Sequence, residues 1–195
     1  MKNVKTIGID FDDILLNFID AFIDFHNLHY GTASKREHMT TYYLEKIWNI
    51  TPEELQNRLH AFYRSDHHKN ALPVAGAIEA ITTLSKDHSI YIITASPEDV
   101  NIQIETWIGK HFTNRFDGIH YVRKTSFDKN IRKKREVCEE LNIEVYIDDA
   151  IHNAEDVASL GIPVLLLDAP WNQGDVALPI RRIYSWSEII ELLSK

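Results

Sequence analysis

The chain of 195 residues is long enough for one compact domain carrying an insertion, or for two small domains. Its composition, 44% hydrophobic and 26% charged, is ordinary for a globular protein, and a net charge of −8 argues against nucleic-acid polymers and anionic membranes as partners. The single cysteine, Cys138, excludes an intramolecular disulfide and a cysteine-based zinc cluster, and it suits a reducing compartment, most simply the cytoplasm.

Val4 to Asp10 reads as the first strand. Ser89–Thr94, Ile119–Val122, Val145–Ile147 and Pro163–Leu167 read the same way: short runs, rich in β-branched residues and nearly apolar throughout, as strands covered on both faces require. Residues 17–72, after the first strand, are too many for a single crossover helix. Within them Phe18, Phe22 and Phe25 recur at helical spacing, and Thr51-Pro52-Glu53-Glu54 is a strong helix start. Further helices are predicted over Ala75–Lys86 and over Pro97–Phe112, the latter with Ser96 as N-cap. Others follow over Arg132–Leu141, over Ile151–Leu160 (stopping at Gly161), and from Trp186 to Leu193 with Ser185 and Glu188 as a capping box. The alternation predicts an α/β fold, a three-layer Rossmann-like parallel sheet built from residues 1–16 and 73–195, with 17–72 as a small inserted helical cap. No stretch approaches the roughly 20 apolar residues of a membrane span, and the N-terminal residues lack a signal-peptide pattern.

Residues 8–16, GIDFDDILL, set Asp10, Asp12 and Asp13 directly after an apolar strand. Like charges this close repel, so a metal ion, basic side chains or a solvent-facing strand end must compensate them. Ligands of parallel sheets bind beyond the carboxyl ends of the strands. Asp10, Thr94 and Asp148 each end a predicted strand and would line one such edge. Lys134 lies in the basic run Arg132–Arg135 but shares a helix face with Val137, Cys138 and Leu141; Lys133 and Lys129 are its rivals.

Asp10-x-Asp12, Ile93-Thr94-Ala95-Ser96, Lys134 and Ile147-Asp148-Asp149, in that order, resemble the haloacid dehalogenase (HAD) superfamily of phosphohydrolases. Within it the chain is most similar to the 5′(3′)-deoxyribonucleotidase family. Phe18 stands eight positions after Asp10, where that family has an aromatic facing the base. Leu72-Pro-Val-Ala-Gly76, Thr94-Ala-Ser-Pro97, Thr106-Trp107-Ile108, Asp168-Ala-Pro-Trp-Asn172 and Tyr184-Ser-Trp-Ser187 match further stretches. Two departures stand out: Asp13-Ile14 replaces the common Gly-Thr or Gly-Val, and Ala95 is an extra residue between Thr94 and Ser96.

The resemblance implies a Mg²⁺-dependent phosphomonoesterase acting on a small phosphate ester, most specifically a (deoxy)nucleoside monophosphate. Asp10 would be the nucleophile and form an aspartyl-phosphate; Asp12 would be general acid and base. Thr94, Ala95 and Ser96 would meet the phosphate, Lys134 would neutralise it, and Phe18 would face the leaving group. Asp10, the Asp12 backbone carbonyl and Asp148 or Asp149 suit the hard cation. Alternatives are a HAD phosphatase for a sugar phosphate or phosphoserine, a phospho-acceptor without turnover, and a binding module. The absence of GxGxxG disfavours a nicotinamide enzyme. His67-His68 is expected to be exposed, Cys138 a small core residue, Tyr42, Tyr43 and Trp48 cap core with one of the three open to stacking on a nucleobase, and Trp171 structural. Oligomeric state stays open, a homodimer included.

Overall fold

The computed structural model describes residues 4–125, 127 and 132–194. Lys129 lies outside them. Among the described residues β1 (Thr6–Ile9), β2 (Ser89–Pro97), β3 (Gly118–Arg123), β4 (Val145–Asp148), β5 (Val164–Leu167) and β6 (Ile180–Ile183) form one sheet. The order is β3-β2-β1-β4-β5-β6, and every neighbouring pair is parallel. The helices are α1 (Phe18–Tyr30), α2 (Leu44–Trp48), α3 (Pro52–Tyr63), α4 (Asp66–Lys69), α5 (Ala77–Leu84), α6 (Asn101–His111), α7 (Lys134–Glu140), α8 (Ile151–Ala158) and α9 (Trp186–Leu193).

Alternate strand residues feed two cores, which is why these strands read as continuously apolar. Ile7, Ile9, Ile90, Ile92, Val145, Ile147, Leu165 and Leu167 pack with residues of α5, α6 and α9 on one face. Ile93, Tyr146, Val164 and Leu166 pack with Val137 and Cys138 of α7 and Ala154 and Val157 of α8 on the other. The result is a three-layer α/β sandwich. Gly8 lies opposite Tyr91 and Tyr146 in register. A Cβ there would stand 3.0 Å from the Tyr146 ring, 3.1 Å from Ile143 and 3.2 Å from Ile93, so the close approach of Tyr146 requires glycine.

The segment inserted after β1 is helical, α1 to α4. Its ends meet: the Asn17 N–H donates to the Leu72 carbonyl at 2.9 Å, and the Val74 N–H to the Leu15 carbonyl at 2.8 Å. Phe18, Phe22 and Phe25 of α1 pack on Phe62 of α3, with centroids 5.1–5.6 Å apart. Full burial of a side chain such as Phe22 or Phe62 contributes about 1.5–3 kcal/mol. Thr51 caps α3, accepting from the Glu54 N–H at 3.1 Å.

Two expectations need correction. The helix after β2 starts at Asn101, not Pro97. β2 runs on to Pro97, pairs there with Arg123 after a register shift, and passes through a 3₁₀ turn at Glu98–Val100. Ser96 cannot cap because it lies within β2, ahead of both the 3₁₀ turn and the helix, and its hydroxyl is turned to Asp12. β6 was not foreseen: Arg181 and Arg182 interrupt its apolar pattern, as an edge strand tolerates. At α9, Ser185 caps the Glu188 N–H at 3.2 Å, while the Glu188 carboxylate accepts from the Tyr184 N–H rather than from that of Ser185.

Candidate active site

The strand order reverses between β1 and β4. Connections leave these two strands in opposite directions and open a crevice at their carboxyl ends. Asp10 directly follows β1, and its N–H donates to the Ile147 carbonyl at 2.9 Å, extending the ladder to the edge of that crevice. Asp148 ends β4 and Asp149 follows. Carboxylate oxygens of these three buried residues lie within 4.8 Å of one another. Lys134, the first residue of α7, is 5% exposed and reaches both strands, with Nζ 2.7 Å from Asp10 Oδ2 and 2.9 Å from Asp148 Oδ2. Its rival Lys133 is turned outward toward Asp156, 3.5 Å away.

The oxygens of the cluster are unevenly occupied. Asp10 Oδ1 accepts from the Phe11 N–H at 2.8 Å. Asp148 Oδ2 also accepts from the Tyr146 hydroxyl at 2.7 Å, and Oδ1 accepts from the Ala150 N–H at 2.8 Å and Asn153 Nδ2 at 3.4 Å. Asp149 Oδ2 accepts from Trp171 Nε1 at 2.6 Å. Among the described residues no donor reaches Asp149 Oδ1. Burial disfavours the Lys134 ammonium, but Asp10 and Asp148 outweigh it and hold the lysine charged. Burial pushes Asp10 up to about 6 despite Lys134, and burial with the charges of Asp148 and Asp10 pushes Asp149 up strongly. One ammonium is too little for this many carboxylates. Hard oxygen donors left short of positive charge are the donor set of a hard divalent cation.

Asp12 faces the same crevice. Its Oδ2 accepts from the Ser96 hydroxyl at 2.6 Å, while its buried Oδ1 has no partner among the described residues. Burial, then the Asp10 charge, raises it to about 7 against the Ser96 bond. Thr94 is fully buried, and its Oγ1 accepts from the Ser96 N–H at 3.0 Å. The extra Ala95 coincides with the register shift of β2. Such irregularities re-aim side chains, and here Ser96 is turned onto Asp12. Asp13 takes the left-handed φ of +53° that suits the glycine common at this position. Its carboxylate accepts from the Ile19 N–H at 3.2 Å and pairs with Arg36 at 3.4 Å.

A cavity of about 400 Å³ covers the crevice, within the size range of small-molecule sites. Asp10, Asp12, Ala95, Ser96 and Asp149 line its floor; Phe18, Tyr42, Tyr43, Leu55 and Leu59 come from the inserted helices and loop. Phe18 both packs and lines the cavity. Tyr42 and Tyr43, expected in the cap core, are instead 45% and 52% exposed, and the Tyr42 ring meets His152 of α8 at 4.6 Å. Trp48 is half-buried and stacks on His26 at 3.8 Å. Trp171 lines the cavity rather than serving packing alone. His68, expected to be exposed, is buried against Phe62 and Tyr63. Cys138 is fully buried. Arg123 was missed: it ends β3, lines the cavity and donates to Gln56 at 3.1 Å. An arginine just past an apolar strand was the available signal.

A model of the family described as 5′ nucleotidase, deoxy (pyrimidine), cytosolic type C protein (NT5C) matches residues 3–195. The chain belongs to the NT5C family. This NT5C-family chain is 27% identical over 191 residues to a nucleotidase of Clostridium acetobutylicum, spanning 97% of this chain and 93% of that one. A haloacid dehalogenase-like hydrolase of Streptococcus pneumoniae shares the fold with a TM-score of 0.72 at 13% identity, over 98% of this chain and 99% of that one. So does YfnB of Bacillus subtilis, whose structure is bound to magnesium, with a TM-score of 0.65 at 14% identity over the whole of both chains. The structural likenesses show the HAD-like fold. The family match shows the class of enzyme, a phosphatase of the nucleotidase kind, whose substrates are small nucleotide phosphates.

Proposed function

We propose that this NT5C-family enzyme hydrolyses nucleoside and deoxynucleoside monophosphates in a Mg²⁺-dependent reaction through an aspartyl-phosphate on Asp10. The observation that carries the reading is the convergence of Asp10, Asp12 and Asp149 on the floor of one cavity whose walls are aromatic and apolar, with the buried Lys134 paired to Asp10 behind them. Asp10, Asp149 and the Asp12 backbone carbonyl would hold the cation, while Asp148, with donors on both oxygens, orients Lys134. When bound, the cation supplies polarisation of the phosphoryl oxygens and offsets the carboxylate charge.

An Asp10 oxygen attacks phosphorus, and the bond from phosphorus to the leaving oxygen breaks. Asp12, raised to about 7, gives its proton to that oxygen. Asp12 then takes a proton from water, the resulting hydroxide attacks phosphorus, and phosphate leaves with Asp10 restored. Lys134 stabilises charge on the transferring group. The Ser96 hydroxyl holds Asp12 and the buried Thr94 holds the Ser96 N–H, so these two position the acid. Residues 17–72 act as the cap, with Phe18, Tyr42 and Tyr43 against the nucleoside, where stacking contributes about 1–3 kcal/mol per base.

The test is phosphate release from nucleoside and deoxynucleoside 5′- and 3′-monophosphates, sugar phosphates, phosphoserine and p-nitrophenyl phosphate, each with Mg²⁺ and with EDTA. Magnesium-dependent release led by nucleotides is expected. Release led by a sugar phosphate or phosphoserine would replace the substrate assignment and keep the chemistry. Release undiminished by EDTA would remove the cation from the mechanism.

A further inference from the structure

Trp171 belongs to a 3₁₀ turn, Pro170–Asn172, that is bolted to the sheet. Asn172 Nδ2 donates to the Asp149 carbonyl at 2.6 Å and to the Leu167 carbonyl at 2.7 Å, and Asn172 Oδ1 accepts from Arg182 Nη1 at 2.6 Å. The neighbouring indole is thereby fixed, with its N–H on Asp149 Oδ2 at 2.6 Å. From the other side the Arg36 guanidinium lies 5.0 Å over the ring, and the ring packs against the cluster of Ile19, Ile23 and Met39. One oxygen of Asp149 is therefore occupied, and the other is the open carboxylate oxygen of the cluster.

We propose that Trp171 is a positioning residue that makes Asp149 a one-oxygen ligand and so biases the site toward small six-coordinate divalent cations over calcium. Calcium readily takes a carboxylate through both oxygens and accepts six to eight ligands; magnesium demands a near-octahedral shell of short single contacts. An indole N–H holding Oδ2 removes the two-oxygen mode that favours the larger ion. It also fixes the orientation of Oδ1, and hydrogen-bond partners of metal ligands typically matter by about 10–100-fold in affinity. The inference rests on the reading of Asp149 as a cation ligand.

The experiment is isothermal titration of the metal-free full chain with MgCl₂ and, separately, CaCl₂, for wild type, Trp171→Phe and Asp149→Asn. Wild type is expected to prefer Mg²⁺. Trp171→Phe keeps the ring and deletes the N–H donor; the ratio of Mg²⁺ to Ca²⁺ affinity should fall at least about tenfold. An unchanged ratio in the folded variant, whether or not both affinities drop, overturns the inference, as does a wild type that prefers Ca²⁺. Asp149→Asn should abolish binding of both ions. If it binds like wild type, the cation-site reading itself fails, an outcome distinct from a silent Trp171→Phe. Should Trp171→Phe not fold, Trp171→Gln and Trp171→Leu decide: both lack the ring, and only glutamine can donate, so only it should retain the magnesium preference. Equal ratios in that pair overturn the proposal.

Discussion

Lys134 Nζ stands between Asp10 and Asp148, at 2.7 and 2.9 Å, in a pocket where Asp12 and Asp149 add two more carboxyls. Breaking a buried ion pair by removing one partner costs about 3–5 kcal/mol. Lys134→Met should therefore lower the thermal midpoint sharply in EDTA, and Mg²⁺ should restore part of the loss; equal midpoints with and without Mg²⁺ would contradict cation compensation. Asp10→Asn leaves Lys134 paired with Asp148. That variant should keep its circular dichroism spectrum while turnover falls at least roughly 10³-fold. Asp10, Asp12, Lys134 and Asp148 each stood out because charge beside apolar strand and helix patterns is costly and demands a reason; that they form one group with Asp149 was legible through the resemblance to the HAD pattern. Trp171 and Arg123 were not legible, and Tyr42 stood only as one of three aromatics open to a base. An aromatic residue or an arginine in a loop or at a strand end looks alike in sequence whether it packs, faces solvent or lines a cavity, and these three line it only once the inserted helices lie over the sheet.

At the scale of elements, β1 and β4 are joined by the fit of Tyr146 against Gly8. Gly8→Ala puts a methyl group at 3.0–3.2 Å from Tyr146, Ile143 and Ile93, tighter than packing allows. The expected cost is about 1–3 kcal/mol, read from urea unfolding. Because the Tyr146 hydroxyl also bonds Asp148, activity should fall by more than the small unfolded fraction explains. β1, β4 and β5 were readable because strands covered on both faces are nearly apolar throughout, and β2 and β3 because short runs of β-branched and aromatic residues stand in them. β6 was not, because Arg182 spends its charge internally on Asp168, Asn172 and Gly174. The extension of β2 to Pro97 also escaped, since Ser-Pro is equally a helix start; the choice is made by Ser96 bonding Asp12, a residue distant in sequence.

For the molecule as a whole, acid stability has two opposed sources. His68 is buried with both ring nitrogens lacking partners among the described residues, and burial lowers it from 6.5 to about 4; His26 is likewise lowered to about 4 by burial and by Arg58. The unfolded chain takes these protons first, so their contribution is complete above about pH 6.5 and is lost as pH falls toward 4. The raised aspartates run the other way, losing stability as pH rises toward 7. A difference measurement separates them. His68→Leu should be at least as stable as wild type at pH 7, since it deletes unpaired buried polar atoms. Its advantage in urea midpoint should widen between pH 6.5 and 4; a constant difference would show that His68 does not titrate across unfolding.

The two crossings between sheet and inserted helices lie side by side, Asn17 bonded to Leu72 and Leu15 to Val74. Mechanically this is one short pin, and for the insert to turn on it the contacts of Gln56 with Arg123 and of Tyr42 with His152 would have to open. Swinging on that pin would carry Phe18, Tyr42 and Leu55 away from the floor of the cavity, while Asp10, Lys134, Asp148 and Asp149, all anchored in the sandwich, would stay where they are. Selection acting on which molecule is admitted can thus rework one leaf of the hinge residue by residue, and the reaction performed behind it need not be invented again.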